Sequence, residues 1–148
     1  MVQQKDKLFL PDYERWDRAN GDNFDSVGYV SVTFSSSKIP TDLVFAFLEI
    51  FWPDFTERDG LVFRTDAFVE ATYQRFKVGW KAEFWMNNIL LDGLVPGLDY
   101  EYRLHLGKQC VDMWRTKLQR DFPDKKFDVK VLDDYEEDEV GITFHQIL

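Results

Sequence analysis

The chain has 148 residues, a net charge of −9 and 17 % aromatic side chains, but one cysteine and two histidines. So acidic a chain repels nucleic acid and anionic membranes, and the lone Cys110 excludes an internal disulfide. With no phosphate-cradling glycine loop and no paired metal-ligand motif, the sequence supplies little for ordinary catalysis.

Residues 1–26 are charged and irregular. The polar start, Met1 to Lys7, lacks the apolar stretch of a signal peptide. Pro11 to Asn20 suits a short helix, with proline in the first turn and Gly21 at the exit. Tyr13 and Trp16, three apart, then share its buried side. Gly28 to Ser35 alternates: Val30, Val32 and Phe34 point one way, Tyr29, Ser31, Thr33 and Ser35 the other. That pattern predicts a half-buried strand.

Pro40-Thr41-Asp42 opens a helix with an acid at its positive end. Leu43, Val44, Phe47, Leu48 and Phe51 form its apolar stripe, and Pro53 stops it. Leu61 to Arg64 reads as a short strand after an Asp59-Gly60 turn. Residues 66–92 carry two conflicting periods. Phe76, Val78, Trp80, Ala82, Phe84 and Met86 alternate with Lys77, Gly79, Lys81 and Glu83. A helix is expected near 66–73 and a long strand near 75–86. A helix with Gly79 inside it is the competing reading, at a cost of about 1 kcal/mol.

Asp92 to Gly97 is a loop, and Asp99 to Arg120 a long helix stopped by Pro123. Phe127, Val129 and Val131, then Val140, Ile142 and Phe144, mark two strands. Between them lies Asp133-Asp134-Tyr135-Glu136-Glu137-Asp138-Glu139, six carboxylates in seven residues. An antiparallel hairpin with a long acidic loop is expected. Phe51-Trp52-Pro53-Asp54 and Asp121-Phe122-Pro123-Asp124 form a weak internal echo, in which each half reads helix, turn, strand, strand. Together the pieces predict a single α+β domain over residues 1–148: a mostly antiparallel sheet with helices packed on one face. The open polar face is expected to carry Ser31, Thr33, Lys130, Thr143 and His145.

Candidate chemistry is sparse. Glu101 and His105, four apart on the long helix, could provide two metal ligands, but no third is apparent. A helix-surface contact is the simpler reading. Cys110 lies about 140° around the helix from His105, poorly placed for a nucleophile and base. Asp54 with Asp59, or Asp121 with Asp124, could be carboxylate pairs for hydrolysis only if a cleft split their pKa values. Asp22, Asn23 and Asp25 form only a fragment of a calcium loop. No cofactor, catalytic residue or metal ligand is assigned.

The acidic block is the sharpest surface feature. Clustered charge steers the encounter with a basic partner, and Tyr135 among the acids suits an interface anchor. A solvated loop is the plainer alternative. Phe84-Trp85 places two large rings side by side, and on a strand they cannot both face one core. The expected partner-binding set is therefore Asp133, Asp134, Tyr135, Glu136, Glu137, Asp138 and Glu139, with Trp85, Lys130 and His145 beside it. The function expected is non-enzymatic: a soluble, cytoplasmic protein-binding domain acting as inhibitor or antidote of a basic target such as a toxin or nuclease. Small bacterial or phage immunity proteins offer an analogy of size and charge alone. A self-associating assembly protein, and a small-ligand or metal-dependent enzyme centred on Glu101 and His105, remain the alternatives.

Overall fold

A computed structural model of the chain describes residues 10–77 and 80–147. The polar start of the chain, and Val78 and Gly79 of the expected strand, lie outside the described residues. Among those described, the architecture is α+β with antiparallel sheets. It divides into two compact units, residues 1–45 and 46–148.

The first unit contains α1 (Pro11–Asn20), a 3-10 turn (Gly21–Asn23), α2 (Ser26–Ser36) and the beginning of α3 (Asp42–Phe51). Pro11 fits the first turn of α1, and Gly21, at φ 72°, provides the left-handed exit. The expected strand at 28–35 is instead α2. Asp25 caps it, accepting from the Gly28 N–H at 2.9 Å. The hydroxyls of Thr33, Ser35 and Ser36 donate back to the carbonyls of Tyr29, Ser31 and Val32. Among the described residues of this unit there is no strand to pair with the segment, and local hydrogen bonds win over the alternating pattern. Tyr13 packs against Phe24 and Tyr29, with ring centroids 5.7 and 5.3 Å apart.

The second unit is built of two hairpins that follow two helices. β1 (Phe55–Arg58) and β2 (Leu61–Arg64) follow α3, joined by a tight turn with Asp59 and Gly60 both at positive φ. That left-handed pair is what a two-residue hairpin turn requires. α4 (Glu70–Phe76), α5 (Trp80–Met86), the two-residue β3 (Ile89–Leu90) and α6 (Leu91–Leu94) lead to α7 (Tyr100–Asp121). β4 (Phe127–Asp134) and β5 (Glu139–Gln146) complete a sheet of order β3-β5-β4. The helix, turn, hairpin echo around Pro53 and Pro123 is thus present in both places.

α7 lies across one face of this sheet. Gly107 allows the close approach: a Cβ there would stand 3.2 Å from Leu91 and 3.5 Å from Val131 and Ile142. The main core surrounds Trp114, with Val62, Leu118, Val129, Ile142 and Phe144. The Trp114 indole N–H donates to the Ile50 carbonyl at 2.8 Å. A second cluster unites Phe63, Tyr73, Ala82 and Met86.

Residues 80–86 are helical, which corrects the strand expected over 75–86. The alternating pattern counted Glu83 as a solvent-facing residue, but Glu83 is fully buried. Its carboxylate accepts from Val62 N (2.8 Å) on β2 and from Gln146 N (2.9 Å) on β5. Asn87, one turn on, accepts from Arg64 N and donates to the carbonyls of Val62 and Phe144. Two side chains of one helical segment thereby satisfy the facing edges of both sheets. Buried backbone groups need such partners, and no described strand fills the gap. Ser31 and Thr33 lie on α2 and not on a sheet face. Thr143 is also corrected: it is fully buried, donating to the Phe84 carbonyl at 2.6 Å.

Candidate binding face at the β4–β5 hairpin

The acidic block straddles the hairpin. Asp133 and Asp134 close β4, residues 135–138 turn, and Glu139 opens β5 opposite Asp134. The turn is held from within: Glu137 N donates to Asp134 Oδ1 at 3.2 Å, and Asp138 adopts φ 55°. It is also held from below by α7. Tyr100 donates its hydroxyl to Asp133, and its ring meets Tyr135 edge-on at 5.1 Å. The Arg103 guanidinium, buried beneath, donates to Asp92 and Asp138. The block is therefore an ordered edge with Asp138 and Asp133 engaged, while Glu136, Glu137 and Glu139 stand exposed.

Alternation along the strands sets the other side of the hairpin. Val131 and Ile142 face α7, so Leu132, Asp134, Glu139 and Gly141 face away from it. Leu90, Gly141 and Leu132 form one cross-strand row. A groove of about 410 Å³ is lined by this row, and Gly141 lets β3 approach closely: a Cβ there would stand 3.1 Å from the Ile89 carbonyl and 3.3 Å from Leu90. Phe84 and Trp85 wall one side, and Asp133, Asp134 and Glu139 rim the other. Trp85 is 60 % exposed. No Lys or Arg is among the described residues that line the groove. Two like charges directly opposite, Asp134 and Glu139, weaken a hairpin unless a cation joins them.

Four of the expected residues, Trp85, Asp133, Asp134 and Glu139, thus meet in one concavity. Tyr135 and Asp138 lie on the α7 side of the tip. Lys130 and His145 lie further along the sheet: Lys130 Nζ is 2.9 Å from Asp128 and 5.8 Å from the Phe84 ring centre, and His145 Nε2 is 4.0 Å from Asp128. Phe84, singled out with Trp85 as an aromatic pair, also lines the groove, whereas Asn88, Leu90, Leu132 and Gly141 were not anticipated. The hairpin register places Gly141 opposite Leu132, but only the β3 pairing brings Leu90 to its other side.

The other candidates have structural partners. Lys117 bridges Asp54 (3.3 Å) and Asp121 (2.6 Å), and Asp59 accepts from the Tyr73 hydroxyl. Burial acts to raise the Asp121 carboxyl, but hydrogen bonds from Lys117 and Arg120 hold it below its ordinary value. Burial pushes the Cys110 thiol up to about 11, so it carries no reactive thiolate at neutral pH. Glu101 is exposed and His105 half-buried. No group of three His, Cys, Asp or Glu among the described residues could hold a metal ion, and no described helix is long and apolar enough to cross a membrane. Comparison with protein families, with curated proteins and with solved structures finds no match to the chain.

Proposed function

We propose that this protein is a non-enzymatic binding domain that docks a basic protein segment on the groove at the β4–β5 hairpin, as an inhibitor or antidote of that partner. The reading rests on one observation above the rest: an exposed Trp85 and the opposed carboxylates of Asp134 and Glu139 share a groove floored by Gly141. A Lys or Arg side chain there would lay its aliphatic stem over the leucine row and its charge between the two acids. The Trp85 ring adds an aromatic surface of the kind that anchors interfaces. Glu136 and Glu137 at the tip raise the encounter rate.

Capture from native cells tests this, with the wild type and a Trp85→Ala, Asp134→Asn, Glu139→Gln variant compared side by side. The expected result is one basic protein held by the wild type, released by salt and lost with the variant. Equal capture by both proteins would remove the groove from the proposal. Because Glu136 and Glu137 lie outside the groove, replacing them with Gln is expected to slow association and leave dissociation largely unchanged.

A further inference from the structure

Among the described residues β4 is an outer strand of its sheet, and the side on which no described strand pairs with it can be read from the hydrogen bonds. Val129 and Phe144 lie directly opposite each other, yet side chains from outside the hairpin take both carbonyls. Arg115 Nη2 donates to Val129 O at 2.7 Å and Asn87 Nδ2 to Phe144 O at 3.4 Å. Lys126 O, by contrast, accepts from Ile147 N within the hairpin at 2.8 Å. By the two-residue period of a strand, Phe127, Val129, Val131 and Asp133 turn their N–H and C=O groups outward. Such an edge is a template for another strand.

Its charge is polarised along its length. Lys125 and Lys126 precede the strand, while Asp133 and Asp134 end it. Lys126, Asp133 and Asp134 are all exposed. At the centre, Asp128 lies 2.9 Å from Lys130 and offsets its charge.

We propose that β4 pairs antiparallel with β4 of a second copy, joining the two three-stranded sheets into one. A two-fold axis reverses the charge polarity, so the basic end of each strand meets the acidic end of the other. This is why a second copy fits an edge on a chain of charge −9. With the axis at Lys130, Lys126 faces Asp134 of the second copy at both ends, Val129 forms a hydrogen-bonded pair with Val131 of the second copy, and the two Lys130 side chains meet at the axis, each neutralised by its own Asp128 at 2.9 Å. Moving the axis to Val131 would set Asp128 against Asp134 at both ends and remove both Lys126–Asp134 pairs. The interface uses the same surface of both chains and closes at two copies. Arg115, with its side chain 56 % exposed, yields the Val129 carbonyl to the incoming backbone and turns to the acids that arrive beside it.

Sedimentation velocity of the full chain over a concentration series tests the pairing. A monomer–dimer equilibrium that weakens with salt is expected. Lys126→Asp alone and Asp134→Lys alone should each weaken dimerisation about tenfold. An equimolar mixture of the two variants should recover it, because only an antiparallel pair then matches opposite charges at both ends. Both positions are exposed, so matching thermal melts will show that the fold is intact. A chain that stays monomeric at its highest soluble concentration would overturn the proposal. So would a dimer indifferent to both substitutions, or a mixture no better than either variant alone.

Discussion

Glu83 holds the two sheets of the second unit together, and its chemistry sets a pH signature. Its two carboxylate oxygens accept from Val62 N and Gln146 N. Glu83→Gln keeps the shape but exchanges one acceptor for a donor, leaving one of those buried N–H groups unpaired. A loss of about 1–3 kcal/mol is expected, measured by urea unfolding. Burial raises the Glu83 carboxyl above its ordinary 4.5, outweighing the hydrogen bonds that favour the anion. A raised folded-state value stabilises the fold below the unfolded value, and that contribution fades as pH rises through the folded one. The gap between wild type and Glu83→Gln should therefore be wider at pH 5 than at pH 8. A gap that widens with pH would mean that the hydrogen bonds, and not burial, govern this carboxyl. Glu83 was also the residue that misled the reading of the sequence. A glutamate between Ala82 and Phe84 looks like the outward member of a strand, and nothing local announces that it binds two distant backbone amides.

At the scale of elements, those with their own punctuation were legible. Pro11 and Gly21 bound α1, Pro53 and Pro123 follow α3 and α7, and Asp59-Gly60 turns β1 into β2. The β4–β5 hairpin was legible from alternation, since both of its strands have a partner. α2 and α5 were not, because their alternating side chains hid what the backbone bonds to. The groove was half legible: Trp85 and the acids were foreseen, the glycine and leucines between them were not. How firmly the hairpin tip is held depends on Arg103, whose side chain is 9 % exposed. Asp92 accepts from it and also from Val140 N at 3.4 Å. Asp92→Ala would leave this buried cation with Asp138 alone, a carboxylate that is itself 73 % exposed. Breaking a buried pair from one side costs about 3 kcal/mol, and faster amide exchange at residues 135–140 should accompany the loss. Unchanged exchange there would show that Tyr100 and the turn's own hydrogen bonds suffice.

For the molecule as a whole, the buried residues are unevenly placed. Both core clusters draw their buried members from Val62 to Phe144, and α1, α2 and α3 contain no buried residue. Phe51 and the Ile50 carbonyl, at the end of α3, do reach the Trp114 core. A chain beginning at Pro40 keeps that helix together with every buried member of the two clusters. It also exceeds the size at which a single core needs disulfides or metals to fold. Its thermal unfolding should accordingly stay cooperative, with a Tm within about 5 °C of the full chain, since 1 kcal/mol shifts a domain of this size by about 4–8 °C. Near-ultraviolet circular dichroism from Trp114 should persist to the same transition. A shortened chain that melts gradually, or loses that signal at the outset, would show that residues 1–39 complete the core of the second unit.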